Sequence, residues 1–374
     1  MGNKIEFSFN EIKQIASKYT EIEVQSFELI ASAIRENDIR LIYSIGFKNK
    51  ERIIVKINRN KFTTHERIRG WTELVQAYIE EGIYCPRILK LRDEEEYSFQ
   101  FIRDTGESHI VYGEEFKKYK SAWEYAKEQS GERKEEVERY FKSLDFKKKV
   151  AKVEGKIANK GKNRNLVPWS TAYVLYDKFS EDDLSDENYE FALKIYEELK
   201  EEEKIDRELL EKIWGIYNEG KSKLEEEYRK LPKAVFQGDL NWSNLLIDED
   251  LELVGLIDFN LSGTETILNY VICEGMYFTQ NEKKKEWISS EFIERHDNHL
   301  RTFIKEFSKY YKFSEEEIKV ANRLFNILYP FRFPYMSAIL YLKKEGQYED
   351  INYRLQWIYY ELTRNDVVEK IFCA

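Results

Sequence analysis

The first hundred residues alternate between apolar and polar positions in short runs, a pattern typical of β-strands. Five such runs predict strands, and a short helix is expected before the first. A longer amphipathic helix follows the third run, and Gly82 and Pro86 mark its end. The predicted strands cover residues 27–34, 39–47, 52–57, 87–91 and 97–102, and the helices cover residues 10–19 and 64–81. This order predicts a small α+β lobe with a five-stranded antiparallel sheet.

A different pattern begins near residue 110, where apolar positions recur at helical spacing. Helices are predicted at residues 113–130, 132–159, 186–203 and 206–230, and further helices follow to the C-terminus. Strand-like alternation returns only at residues 234–258. We therefore predict two domains, residues 1–105 and residues 106–374, the second of them large and mainly helical.

Composition narrows the kinds of partner that the chain can have. Hydrophobic residues make up 42% of its 374 residues and aromatic residues 15%, enough for a packed core in both domains. The formal net charge is −10, and no basic patch dominates, which argues against a nucleic-acid partner. The acidic balance suits a cationic small substrate, although it is also typical of ordinary soluble proteins.

Cysteine and histidine positions indicate neither a disulfide framework nor a zinc site. The three cysteines are far apart and form no CxxC pair, which favours a reducing cytoplasm. The four histidines are dispersed and are expected at the surface. Charges occupy the N-terminus where a signal peptide needs an apolar run, and no apolar run is long enough to cross a bilayer. We expect a cytoplasmic protein without a membrane partner.

The candidate chemistry is concentrated in the stretch FQGDLNWSNLLIDEDLELVGLIDF, residues 236–259. Two short apolar strands flank an acidic turn and predict a hairpin, whose open end brings Asn244 and Asp258 together. Asp239 lies on the loop that leads into this hairpin. Phosphoryl transfer needs one carboxylate to orient the acceptor hydroxyl and accept its proton, a role that fits Asp239. It also needs hard oxygen ligands for Mg²⁺, a role that fits Asn244 and Asp258.

This stretch resembles the signature of the aminoglycoside phosphotransferase family and its choline kinase-like and homoserine kinase-like relatives. The family pattern is His-Gly-Asp, four residues, Asn, and then a strand ending in Ile-Asp-Phe or Ile-Asp-Trp. Asp239 and Asn244 have that spacing, and residues 257–259 read Ile-Asp-Phe. The resemblance implies a bilobal protein-kinase-like fold with ATP or GTP as co-substrate in the cleft and Mg²⁺ on the nucleotide. The first domain is then the nucleotide-binding lobe, and the second is the catalytic and substrate-binding lobe.

The resemblance also implies roles for residues of the small lobe. Ile54 and Lys56 share one face of the third strand, and the resemblance places Lys56 on the phosphates and Ile54 against the base. The following helix should supply a glutamate that pairs with Lys56, with Glu73 as first choice and Glu66 as second. The hinge whose backbone meets the base is expected at the end of the fifth predicted strand, at Phe101-Ile102-Arg103.

The chain departs from the family pattern at several positions. Gln237 stands where the family usually has His, although glutamine can still hydrogen-bond. Asn260 takes the place of the glycine that protein kinases have after Asp-Phe, and residues 263–265 lack the Gly-Asp-Pro often found there. Residues 35–38 hold no glycine-rich phosphate loop. The missing loop separates the chain from protein kinases, which are the least favoured interpretation.

We predict a phosphotransferase that moves the γ-phosphate of ATP or GTP to a hydroxyl of a small molecule. Acidic residues after the motif permit an aminoglycoside or another amine-bearing acceptor; they are Glu265, Glu274, Glu291 and Glu294. The alternative is a catalytically inactive kinase-like binding or scaffold protein, which the departures at Gln237 and Asn260 motivate.

Overall fold

A computed structural model describes residues 5–176, 185–276 and 289–373 of the chain. Its contacts divide the chain into two compact units. Unit 1 comprises Met1–Tyr125 and Asn241–Asn260, and unit 2 comprises Ala126–Leu240 and Leu261–Ala374. The boundary predicted at residue 105 therefore falls inside unit 1, which also takes in a second segment from the middle of the chain.

Unit 1 contains a five-stranded antiparallel sheet, which confirms the predicted fold class. Its strands are β1 (Val24–Arg35), β2 (Asp38–Phe47), β3 (Arg52–Arg59), β4 (Ser98–Ile102) and β5 (Ser108–Glu115). They lie in the order β1-β2-β3-β5-β4. Helix α1 (Phe9–Ser17) precedes β1, and helix α2 (His65–Glu80) lies between β3 and β4 in sequence.

The two faces of this sheet differ in character, because successive side chains of a strand point to opposite faces. Val55 and Ile57 of β3 are buried in one apolar cluster with Ile12 of α1. Lys56 lies between these two residues in sequence and Asn58 follows Ile57, so Lys56 and Asn58 belong to the opposite, polar face. The alternation along β3 thus divides the sheet into a packing face and a face with charged groups.

The fourth and fifth strands differ from the prediction. Residues 87–91 form no strand, and Ile88 makes only an isolated bridge to Glu114. The segment turns away soon afterwards at Asp93, whose φ is 61°. The run predicted at residues 97–102 is therefore the fourth strand, and β5 takes up residues where the sequence predicted the start of a helix.

A three-stranded sheet in unit 1 contains the predicted hairpin. Its strands are β6 (Lys120–Ser121), β8 (Leu245–Ile247) and β9 (Leu253–Leu256). The backbone of Tyr84 fixes the hairpin, since its N–H donates to Val254 and its carbonyl accepts from Leu256, both at 2.9 Å. A Cβ atom on Gly255 would lie 2.2 Å from the Tyr84 carbonyl oxygen. Glycine is required at this position by the close approach of the two chain segments.

Unit 2 is mainly helical, as predicted, and also holds the antiparallel strands β7 (Lys233–Phe236) and β10 (Gly263–Thr266). Helix α3 (Ala122–Glu128) contains the boundary between the units. The other helices in the described ranges are α4 (Gly131–Phe141), α5 (Leu144–Gly161), α6 (Glu187–Leu199), α7 (Arg207–Arg229), α8 (Ile267–Gly275), α9 (Ser290–Phe307), α10 (Glu315–Leu328), α11 (Phe333–Lys344) and α12 (Tyr348–Thr363). The helix predicted at residues 132–159 divides at Ser143, which caps α5. None of the helices described is long and apolar enough to cross a membrane.

Candidate active site

Lys56 is the centre of a buried charge cluster in unit 1. Its Nζ atom donates to Oε1 of Glu114 at 2.9 Å and to Oδ1 of Asp258 at 3.1 Å, and only 8% of the residue is exposed. Burial alone would lower the pKa of Lys56, but the carboxylates of Asp258 and Glu114 outweigh it and raise the pKa well above its ordinary value. Lys56 therefore remains a cation at neutral pH.

The glutamate partner of Lys56 comes from β5 rather than from α2, which corrects the sequence prediction. Glu73 and Glu66 are both exposed, because α2 turns its apolar residues towards the interior. Within the described residues neither of them pairs with Lys56. Glu114 reaches the lysine because its Cα is in register with Ile54, two residues from Lys56 on the same face. Burial raises the pKa of Glu114, and the charge of Lys56 opposes that rise.

The three residues predicted as the hinge either contact the region around α1 or are exposed. Phe101 is part of the apolar cluster between the sheet and α1, and Ile102 is 65% exposed. Arg103 donates to Glu11 of α1 at 2.9 Å. The hinge was placed on the assumption that these residues end the fifth strand, but they end β4, the fourth strand, and the chain that leaves β5 is residues 116–119.

Asn244 and Asp258 lie at the open end of the β8–β9 hairpin. Leu245 is in register with Leu256, and the N–H of the next residue, Ile257, donates to the Asn244 carbonyl at 3.0 Å. Asp258 follows directly in sequence. The hairpin register therefore keeps one amide side chain and one carboxylate at the same rim, as the sequence predicted.

The backbone of Asp258 has a conformation that side chains rarely adopt. Its φ is 62°, in the left-handed region that aspartate tolerates better than most residues. The next residue anchors it, since the ring of Phe259 is buried and packs edge-on against Tyr78 of α2 at 5.6 Å. Backbone strain of this kind is concentrated at functional sites, and here it aims the carboxylate at Lys56.

A cavity of about 190 Å³ opens beside Lys56 and Asp258, entirely within unit 1. Small side chains of β1, at residues 31–33, form part of its wall, and β2 and β3 contribute Arg40 and Asn58. Neither Arg40 nor Asn58 belongs to the residues predicted from the sequence. Strand alternation could have found them, because Asn58 lies two residues beyond Lys56 and Arg40 is its partner in register on β2.

Asp239 belongs to unit 2, on the loop that follows β7. The buried side chain of Gln237 accepts the Asp239 N–H through Oε1 at 2.6 Å, so glutamine at this position does hydrogen-bond, as expected. Gly238 has a φ of 81°, and a Cβ atom there would lie 2.5 Å from the carbonyl oxygen of Leu261. Only glycine fits this turn, and the backbone of Asp239 is consequently held in one position.

A buried carboxylate, Glu274 of α8, is the electrostatic neighbour of Asp239 in unit 2. Its Oε1 accepts from the Tyr173 hydroxyl at 2.6 Å, and Lys147 donates to its backbone carbonyl at 3.0 Å. Burial raises the pKa of Glu274; Lys147 opposes this rise, and the charge of Asp239 adds to it. Burial also lowers the pKa of Lys147. The carboxyl groups of Glu274 and Asp239 in unit 2 thus interact electrostatically.

Histidines do not form a metal site, but three of them are buried, contrary to prediction. These are His109, His296 and His299. Across the described ranges no group of three or more His, Cys, Asp or Glu side chains could hold a metal ion. Asn244 and Asp258 nonetheless fit Mg²⁺, which is usually bound through one or two carboxylates together with substrate phosphates and water.

Neither a protein-family model nor a curated protein sequence matches the chain. Solved structures do match it. An aminoglycoside phosphotransferase from Alicyclobacillus acidocaldarius is 11% identical with a TM-score of 0.54, over 100% of this chain and 98% of that chain. A microcompartment-associated aminopropanol kinase is 10% identical with a TM-score of 0.54, over 95% of this chain and 96% of that chain.

A third similar structure is an amicoumacin kinase solved in complex with AMP-PNP, Ca²⁺ and Ami. It is 10% identical with a TM-score of 0.51, over 95% of this chain and 93% of that chain. Likeness at such low identity establishes a common fold. The resemblance expected from the motif is confirmed at that level, and the chain has the fold of the aminoglycoside phosphotransferase-like kinases.

Proposed function

We propose that this protein is a small-molecule kinase that transfers the γ-phosphate of ATP or GTP to a hydroxyl group. The observation that carries the proposal is the buried ion-pair cluster of Lys56 with Glu114 and Asp258, in a chain with this fold. Phosphoryl transfer depends on position and charge more than on covalent chemistry from the protein. A lysine that is held as a cation beside a cavity is suited to a nucleotide phosphate.

The metal ligands in this proposal are Asn244 and Asp258. When Mg²⁺ is bound there, it neutralises charge on the phosphates. Asp258 would then face both the metal and Lys56, while Glu114 keeps the lysine in place. The nucleotide base would meet backbone groups of residues 116–119 after β5, with Ile54 on the sheet face beside it. Backbone recognition of this kind accommodates ATP or GTP.

Asp239 is the catalytic base in this proposal. Its carboxylate orients the acceptor hydroxyl and takes its proton, while the hydroxyl oxygen bonds to the γ-phosphorus. The bond from that phosphorus to the bridging oxygen breaks, and the products are a phosphate monoester and a nucleoside diphosphate. The hydrogen bond from Asp239 N–H to Gln237 and the turn at Gly238 support this role, because they fix the backbone that carries the base.

The acceptor is proposed to carry an amine near the hydroxyl that reacts. Of the four acidic residues that the sequence singled out, Glu274 is the one whose pKa the charge of Asp239 raises. Glu265 is buried against Tyr228, and Glu291 and Glu294 line another cavity of unit 2, of about 700 Å³. A carboxyl group that interacts electrostatically with the proposed catalytic base suits an aminoglycoside or another amine-bearing acceptor.

A transfer assay tests the proposal directly. The protein is incubated with Mg²⁺ and ATP or GTP, together with a panel of amine-bearing and neutral hydroxyl compounds, and phosphorylated products are identified by mass spectrometry. We expect transfer to at least one amine-bearing compound. Preference for neutral compounds would overturn the acceptor class alone. Nucleotide binding without transfer to any compound would favour the inactive binding protein.

A further inference from the structure

The cavity beside Lys56 has polar groups that the catalytic roles above do not use. Arg40 of β2 and Asn58 of β3 are in register with each other and both line this cavity. They lie on the same sheet face as Lys56, one step nearer the turn between β1 and β2. The cavity therefore extends from the lysine towards the hairpin that, in protein kinases, covers the phosphates.

The guanidinium of Arg40 is held in a fixed orientation. Its Nε donates to Asp38 at 2.9 Å and its Nη2 donates to the same carboxylate at 2.6 Å. The guanidinium also lies 5.1 Å from the ring centroid of Phe62. These contacts leave Nη1 without a hydrogen bond to any described residue. Asp38 thus orients the group while one edge of it remains available to a ligand.

Asn58 carries a buried donor that no described residue satisfies. Only 7% of Asn58 is exposed, and its Nδ2 atom has no hydrogen-bond partner. A buried donor without a partner destabilises the folded protein, so such groups call for an explanation. A ligand that brings an acceptor into the cavity would supply the missing partner. Oδ1 of Asn260 is a buried acceptor in the same situation, and it suits water carried by a metal ion.

The turn between β1 and β2 offers no substitute for these side chains. Only Glu36 and Asn37 separate the two strands, and residues 35–38 contain no glycine. A glycine-rich loop binds phosphates through a row of backbone N–H groups, and a two-residue turn cannot present such a row. A nucleoside triphosphate at Lys56 would need donors from elsewhere, and Arg40 and Asn58 stand on the adjoining wall.

We propose that Arg40 and Asn58 bind the outer phosphates of the nucleoside triphosphate and replace the glycine-rich loop of other kinases. This inference rests on the proposed function and adds two positioning residues to it. The fixed guanidinium provides charge and the asparagine amide provides a directed donor. Both act on the triphosphate and neither acts on the acceptor hydroxyl.

Calorimetric titration of the full chain with three probes tests this inference. The probes are Mg-ATP, inorganic tripolyphosphate and adenosine. Arg40→Gln and Asn58→Asp should each weaken ATP and tripolyphosphate binding about tenfold or more, since each removes a strong hydrogen bond to an anion. Adenosine binding should not change. Asn58→Asp is isosteric and sits beside Arg40, so it keeps a folded test available if Arg40→Gln is unstable.

Arg59→Gln is the matched control. Arg59 is the next residue on β3, on the other face of the sheet, where it pairs with Glu107 at 3.0 Å. The Arg59→Gln variant should bind all three probes as the unaltered protein does. If Arg40→Gln and Asn58→Asp also bind ATP normally, the inference is overturned and the proposed function stands.

Two outcomes separate this inference from the proposed function. Tripolyphosphate binding that depends on Arg40, without any ATP or GTP binding, would support the anion subsite and overturn the kinase assignment. An unaltered protein that binds neither ATP nor tripolyphosphate would overturn both.

Discussion

Two buried carboxyl sites of this protein, one in each unit, have different kinds of partner. In unit 1, Glu114 and Asp258 are paired with Lys56, and the cluster consists of opposite charges. In unit 2, Glu274 and Glu265 are bonded to tyrosine hydroxyls, and burial raises the pKa of both. Ion pairing therefore fixes charge where the proposal needs to hold phosphates, whereas Glu274, whose pKa the charge of Asp239 raises, accepts a hydrogen bond from a neutral hydroxyl.

The largest expected effect comes from unit 2 and tests whether the two units have separate roles. Asp239→Asn should lower turnover by about 10³-fold, because a positioned general base contributes roughly that much. Affinity for ATP should remain within about twofold, since the proposed phosphate ligands are all in unit 1. Initial rates and calorimetry measure the two quantities.

The control for that variant is Glu249→Gln, in the exposed turn between β8 and β9. It should behave as the unaltered protein does. Normal turnover in Asp239→Asn would remove the base from the mechanism.

A second prediction concerns the buried carboxyl group of Glu265. Burial raises its pKa to about 7, although its Oε1 accepts from Tyr228 at 2.6 Å and from the N–H of Thr266 at 2.7 Å. A folded-state pKa above the unfolded value favours the folded state at low pH, and this contribution is lost as pH rises through about 7. Glu265→Gln should therefore gain up to about 3 kcal/mol of unfolding free energy relative to the unaltered protein between about pH 4.5 and pH 8.

Urea denaturation across that pH range measures the difference for Glu265→Gln. Glu203→Gln, at an exposed position of unit 2, is the control and should show no such trend. Parallel stability curves for Glu265→Gln and the unaltered protein would mean that Glu265 is ionised throughout, and the contrast between the two carboxyl sites would weaken.

The smallest expected effect concerns ATP affinity and compares Glu114 with Glu73 in unit 1. Glu114→Gln keeps the shape of the side chain but removes one of the two charges that hold Lys56. We expect ATP affinity to fall about tenfold, because hydrogen bonds to charged groups contribute about 1.5–3 kcal/mol and Asp258 retains part of the interaction. Glu73→Gln on the exposed side of α2 should leave affinity unchanged. The reverse ranking of these two variants would restore the glutamate of α2 as the partner.

Much of unit 1 could be predicted because its signals are local. The first three strands and α2 were found from alternation, turn residues and a helix end, and the register of the β8–β9 hairpin follows from its own residues. Asn244 and Asp258 could be placed together for the same reason. The resemblance to a known family then supplied Lys56, which the structure puts at the charge cluster.

The errors in unit 1 come from pairings between distant residues. Nothing local distinguishes residues 87–91 from an edge strand, so the fifth strand was assigned too early and the hinge was placed at Phe101-Ile102-Arg103. Because the fifth strand was misplaced, Glu114 could not be predicted as a partner of Lys56; its closeness to Lys56 depends on the register between β3 and β5. The surroundings of Asp239 could not be predicted either, because Tyr173 and Glu274, which are hydrogen-bonded, are 101 residues apart in sequence.

Thermal melting with ATP, GTP and each nucleotide plus Mg²⁺ tests whether the protein binds a nucleotide at Lys56. A ligand at a hundredfold excess over its Kd stabilises the native state by about 2.7 kcal/mol, which a melting curve resolves. We expect a Mg²⁺-dependent rise in Tm with ATP or GTP that is lost in Lys56→Met. No rise with any nucleotide would contradict this expectation, and the cluster of Lys56, Glu114 and Asp258 would then have a structural role alone.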